Sequence, residues 1–192
     1  MINHSKNISF FNNELLPQSF SVKFEEVNNG LYPQVKVTLN NSQVGDVIDD
    51  NSYENDGYRY HDIFHYSFAT LLNWSPCVRA MLKKKRKSNA LIDRVEDGAR
   101  ATITEESISL MIFSNAKQNN FYRDISVIDN YLLNTIKNMT LSFEVKNKSK
   151  EEWQDAILKS YEVFRLLKEN KGGIVQFNSR NRSITYNNLL ST

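Results

Sequence analysis

His61 and His65 stand four residues apart, with Asp62 between them and Tyr58 just ahead, in the stretch 54-ENDGYRYHDIFHYSF-68. On a helix, four-residue spacing puts two imidazoles on one side, one turn apart. Neutral imidazoles so placed can hold a metal ion, as in the H-E-x-x-H helix of zinc hydrolases. Here an aspartate stands where that glutamate acts as general base. The pair also suggests a His-Asp phosphohydrolase, but such a site needs more histidines, and His4 is the only one left. A third arrangement puts magnesium or manganese on nearby carboxylates, with the imidazoles behind them or on the substrate. Against all three stands the structural alternative, in which both histidines are hydrogen-bonded residues bordering a core face.

The carboxylates come from a second helix, expected from about Ile92 to Ala116. Ile92, Val95, Ala99, Ile103, Leu110 and Phe113 recur at spacings of three, four or their sum, and Glu106 interrupts that stripe between Ile103 and Leu110. A buried carboxylate must be paired, protonated or bound to metal. Glu96 borders the stripe, Arg100 lies one turn on, and Glu105 falls further round. On the histidine helix, Ile63, Phe64, Ser67, Phe68, Leu71 and Leu72 make the core face. His61 and His65 then line its edge. The expected site is a seam between two helices. Asp62, Glu96 and Glu106 hold the metal, and Glu105 or His61 orients the attacking water. His65, Arg100 and Tyr58 stand behind them. Glu106 paired with an arginine of another helix is the structural alternative.

The run 83-KKKRK-87 closes a helix expected over 76–87. Cations suit a helix C-terminus, but Lys83, Lys84 and Arg86 could also grip phosphate oxygens. A nucleic-acid patch is the weaker alternative, with Arg180 and Arg182 adding charge, and no recognition motif accompanies it. Cys77 has no partner pattern and reads as packing, as do Trp74 and Trp153.

These residues need elements to position them. Phe20–Phe24 and Val35–Leu39 alternate in polarity, with turns at Asn28-Asn29-Gly30 and Asn40-Asn41, and predict a small meander. Residues 45–57 read as a polar loop. A helix over 58–73 follows, and Ser75-Pro76 opens the next. Ser126 with Asp129 predicts a helix start running to about Phe143, and Ser149 with Glu152 opens a helix over 150–169 that Gly172-Gly173 ends. Ile174–Phe177 and Ser183–Tyr186 predict a terminal hairpin. The expected fold is mainly α within an α+β class: a bundle of about five helices with a small antiparallel sheet drawn from both ends. One domain spans 1–192, with a β-rich part over 1–50, a helical core over 58–170 and a hairpin over 173–187.

Bulk composition narrows the function. Among 192 residues the formal net charge is +2, so no global basic field demands nucleic acid or membrane. A single cysteine excludes a disulfide scaffold and points to the cytoplasm. No apolar run approaches membrane-spanning length.

Three segments, "DGYRYHDIFH", "WSPCVRAMLKKKRKS" and "RVEDGARATITEESIS", resemble MazG-like proteins, in particular the domain at the C-terminus of some MazG-type proteins. The resemblance extends through most of the chain. It implies an all-α pyrophosphohydrolase that cleaves nucleoside triphosphates to monophosphate and pyrophosphate, using magnesium on helix-borne acids. The group's pattern is E-x-x-E followed, on the next helix, by E-x-x-D. Here Arg59 stands three residues before Asp62. Asp93 and Glu96 keep the spacing of three but follow the Asp62 helix, and Glu105 and Glu106 are adjacent. The acids therefore do not carry over position by position. The resemblance implies a magnesium-dependent nucleotide pyrophosphohydrolase-like protein. A non-catalytic accessory domain that binds a nucleotide or protein partner is the alternative, and a homodimer is left open.

Overall fold

The computed structural model describes residues 10–28 and 30–189; the expectations placed on His4 and Asn29 lie outside them. Five antiparallel strands, β1 (Ser19–Val27), β2 (Gln34–Leu39), β3 (Ser42–Gln43), β4 (Gly172–Asn178) and β5 (Ser183–Asn187), form one sheet in the order β3-β2-β1-β4-β5. Asn40 and Asn41 both take positive φ, which matches the twist of a two-residue hairpin and pairs Leu39 with Ser42. The N-terminal meander and the C-terminal hairpin meet in the centre, where β1 pairs with β2 on one side and β4 on the other. Val22, Phe24, Val35, Val37, Val175 and Phe177 are fully buried on one face, as alternation requires.

Among the described residues six α-helices accompany the sheet: α1 (Asp62–Leu71), α2 (Pro76–Met81), α3 (Ala90–Val95), α4 (Ala99–Gln118), α5 (Asn130–Met139) and α6 (Lys150–Glu169). The class is therefore α+β and mainly helical. Helices α1 and α6 pack together and against β4. Between them lies an aromatic core in which the Phe64 ring stacks on Tyr161 at 4.6 Å and Trp153 meets Phe68 edge-on. Trp74 and Trp153 are both buried. Ser149 accepts from the Glu152 N–H while the Glu152 carboxylate accepts from the Ser149 N–H, the reciprocal cap expected of this pair. Ser149→Ala is expected to cost about 1 kcal/mol, roughly 2–4 °C in a thermal melt.

Four helix boundaries differ from expectation. Residues 58–60 form a 3₁₀ turn, and α1 starts at Asp62. Helix α2 stops at Met81: Lys83 takes φ 55°, and the N–H groups of Lys83 and Lys84 return to the Ala80 and Arg79 carbonyls. That double closure is a Schellman end, so the basic run is loop rather than helix. The helix expected over Ile92–Ala116 is broken between α3 and α4. Gly98 opens α4 at a position where a Cβ would meet the Arg94 carbonyl oxygen at 2.1 Å. Finally, Asp129, not Ser126, caps α5, which ends before Phe143. The loop over 45–57 is held down by Arg59, whose guanidinium binds Asp50 at 2.8 Å and Glu26 at 3.1 Å.

Candidate functional site

The break before α4 resets the helical phase, and this decides which glutamate faces inward. Along α4 the buried positions are Ala101, Glu105, Ile108, Ser109, Ile112, Phe113 and Ala116. Ile103 and Leu110, expected in the core, are 65% and 53% exposed. Glu105 is therefore the buried acid, at 0% exposure, while the Glu106 side chain is 47% exposed. The expected stripe had run across two helices and mixed their faces. The pattern Ala101–Glu105–Ile108–Ile112–Ala116, read within α4 alone, carries the correct signal.

Glu105 is fully committed. Its Oε1 accepts from Ser75 Oγ at 2.7 Å and lies 2.8 Å from His65 Nδ1, and its Oε2 accepts the Cys77 backbone N–H at 2.9 Å. Ser75 Oγ in turn caps α2 by accepting the Val78 N–H. One carboxylate thus ties α1, α2 and α4 together, and its complete burial leaves it out of place to orient an attacking water molecule. The ordering also places His65, which is 1% exposed and inside the core boundary rather than on its edge. Burial works against a charge on His65, but Glu105 beside it outweighs that effect and holds its pKa well above the ordinary value.

His61 lies one turn earlier. Its Nδ1 is 3.0 Å from the Tyr58 carbonyl oxygen, and its ring stacks on the Tyr58 ring at 4.4 Å. Burial lowers its pKa, opposed by Asp62, so at neutral pH it is a neutral imidazole. Its Nε2 is 3.6 Å from Asp62 Oδ1. Glu106 reaches in from α4, with Oε2 in an ion-pair contact 3.4 Å from His65 Nε2; the imidazole beside it brings its pKa down to about 2, against the effect of burial. One ligand atom from each of His61, His65 and Glu106 lies within 4.8 Å of the others. Gly45, at φ +73°, brings the 45–57 loop against Asp62 and walls this seam.

The other expected site residues lie elsewhere. Glu96 caps α3 and accepts the Glu144 N–H at 3.0 Å, so it does not join Asp62 and Glu106. Arg100 is exposed on the first turn of α4. Arg86 is buried, fork-to-fork on Asp97 at 2.6 Å and bonded to Glu144 at 2.9 Å, so its guanidinium is not open to phosphate. Lys83 and Lys84 make no ion pair among the described residues. Arg182 is tied to the Leu71 carbonyl and Glu152, which weakens the nucleic-acid alternative. A concavity of about 780 Å³ lies between Leu31–Pro33 and Asp49–Asn55, and none of the seam's residues lines it.

Magnesium asks for oxygen ligands, most of them waters and carboxylates. Asp62 and Glu106 border the seam, but Glu96 is remote, Glu105 is occupied, and the free donors here are imidazole nitrogens. The residues present do not fit an all-oxygen magnesium site. Cys77 adds no reactive ligand. Its thiol is buried, which pushes its pKa up to about 12, and Sγ lies 3.8 Å from the Thr102 carbonyl oxygen. Native protein at pH 7.5 is expected to react with a disulfide-exchange reagent at least tenfold more slowly than unfolded protein in denaturant, because the thiolate is the nucleophile. Equal rates would show that this wall opens.

Among the described residues no helix is long and apolar enough to cross a membrane. Comparison with curated proteins finds no match, and neither does comparison with solved structures. The model of the MazG C-terminal domain family, however, matches residues 3–190, and the chain belongs to that family.

Proposed function

We propose that the protein is a hydrolase-like MazG relative that cleaves a phosphoanhydride bond of a nucleotide at the seam between α1 and α4, as a nucleotide pyrophosphohydrolase does. The observation that supports this is the convergence of His61, His65 and Glu106 at a point that the half-exposed Glu106 keeps open to solvent. Water attack on phosphorus is favoured where an ion neutralises the phosphate oxygens. The chain supplies a neutral His61 and Asp62 at the opening, while Glu105 fixes the fold behind them. Lys83 and Lys84 are the cations left for phosphate. The test is a panel of nucleoside triphosphates incubated with protein and manganese or magnesium, with phosphate and pyrophosphate read separately. Chelator-sensitive pyrophosphate release is the expected result.

The distance of Glu96 from Asp62 and Glu106, with Glu105 given over to structural partners, favours a second reading: a non-catalytic accessory domain that binds a nucleotide or a partner protein. No turnover of any nucleotide by folded, metal-supplied protein, together with retained nucleotide binding, would replace the first reading with this one.

A further inference from the structure

We propose that His61, His65 and Glu106 form a two-histidine, one-carboxylate site for a divalent transition-metal ion such as zinc, manganese or iron(II), set between the start of α1 and the middle of α4. It deepens the hydrolase reading by naming the ion at the same seam, yet the site stands or falls without turnover.

The first ground is an orphaned atom. His65 is almost wholly buried, its Nδ1 is engaged by Glu105, and its Nε2 has no hydrogen-bond partner among the described residues. Buried polar atoms are nearly always satisfied, so an unsatisfied nitrogen aimed at other donors needs an explanation. The second ground is how the two imidazoles are held. A metal-ligating histidine donates its other ring N–H to a carboxylate or a backbone carbonyl, which fixes the tautomer and orients the lone pair. His65 has the carboxylate, Glu105 Oε1 at 2.8 Å, and His61 has the carbonyl, Tyr58 O at 3.0 Å. Both Nε2 atoms are left for an ion. Neither support is loose: Glu105 is anchored by Ser75 and Cys77, and the Tyr58 ring stacks on His61 and meets Phe113 edge-on.

The third ground is charge. Glu105, Glu106 and Asp62 make no ion pair with a lysine or arginine among the described residues; their only partners of opposite sign are His61 and His65. Three carboxylates face only two imidazoles here, so a divalent ion taking the place of the proton on His65 Nε2 adds positive charge where no lysine or arginine does. The spacing also fits. Ligand atoms about 2.1 Å from an ion lie about 3–3.5 Å apart, and the separations here, 4.8 Å at most with 3.4 Å between His65 Nε2 and Glu106 Oε2, close to that by side-chain rotation. Two imidazoles and one carboxylate suit borderline transition ions, and the remaining positions face the exposed side of Glu106 for water or substrate oxygen.

A neighbouring trio, His65, Cys77 and Glu105, also brings three ligand atoms together. It is a poorer site. The Glu105 oxygens already take three partners, the Cys77 thiol is held protonated by burial, and all three residues are sealed from solvent.

The test is titration of chelator-treated protein with cobalt(II), followed by its visible absorption, and with zinc and magnesium by calorimetry. One equivalent of cobalt or zinc is expected, bound at least a hundredfold more tightly than magnesium. The cobalt spectrum should lack a thiolate charge-transfer band. His65→Gln and Glu106→Gln should each weaken binding at least a hundredfold, with far-UV circular dichroism reporting the fold. Should His65→Gln fail to fold, Glu106→Gln keeps the test decisive, because that side chain is half-exposed. Cys77→Ser should retain binding. Cobalt binding that is equally weak in unmodified protein and in Glu106→Gln would overturn the site, and so would a thiolate band lost in Cys77→Ser. Tight cobalt binding without nucleotide turnover would leave the site in place and remove only the hydrolase reading.

Discussion

Asp97→Asn is expected to lower stability by about 3–5 kcal/mol, or roughly 6–20 °C in melting temperature for a chain of this size. Asp97 is completely buried. Its carboxylate takes the Arg86 backbone N–H, Nε and Nη2, and Arg79 Nε lies 3.7 Å away. Asparagine keeps one acceptor oxygen but leaves a buried guanidinium without its charge partner. Breaking such a pair costs far more than its net contribution, because the surviving charge stays out of water. Glu144 softens the loss only in part, since its side chain is itself 37% exposed. Chemical denaturation of the variant at pH 7 measures the effect. A change below 1 kcal/mol would mean that Arg86 swings free, and the phosphate role expected for it would then be open again.

The second large effect separates two adjacent glutamates. Glu105→Gln, in chelator-treated protein, is expected to cost about 3–5 kcal/mol, whereas Glu106→Gln should cost less than about 1 kcal/mol. An amide at 105 has one oxygen, but three partners approach the carboxylate from both ends: Ser75 and His65 at Oε1, the Cys77 N–H at Oε2. The amide nitrogen must then face a donor, and the buried His65 loses the carboxylate that supports its charge. Glu106 sits half in water, so the field it shares with His65 is screened and its removal is cheap for folding. Paired urea melts of the two variants decide the matter. Glu106→Gln proving the costlier of the two would reverse the inward and outward assignment along α4.

That assignment shows where the sequence was legible. Elements governed by local chemistry could be read directly: the Ser149–Glu152 cap, the Asn40-Asn41 hairpin and the alternation of β1 and β2; the stop expected at Gly172-Gly173 falls instead at Asn170 and Lys171, which takes φ 55°, and both glycines belong to β4. The histidine pair was legible as a ligand candidate because i, i+4 spacing survives on any helix. The phase of α4 was not. Apolar residues at Ile92 and Val95 extend the α4 period across Glu96–Gly98, and α3 ends there because Asp97 turns inward to Arg86 and Gly98 passes the Arg94 carbonyl. The same long-range pairing removed Arg86 from the basic surface. A charge run in sequence does not reveal which of its members has a buried partner.

The central place of β1 has a consequence for the chain as it is synthesised. One edge of β1 can pair with β2 as soon as residues 34–39 have emerged, but its other edge waits for β4, whose register joins Glu25 to Gly172 and Ser19 to Asn178. Until residues 172–178 have left the ribosome, a strand carrying Val22 and Phe24 presents a bare row of amides and carbonyls. Exposed edges of that kind recruit other strands, and pairing over such a sequence distance is slow to form. The nascent protein should therefore depend on chaperone cover for the period between synthesis of β2 and β4. A chain stopped before residue 172 is expected to aggregate rather than fold to a smaller unit.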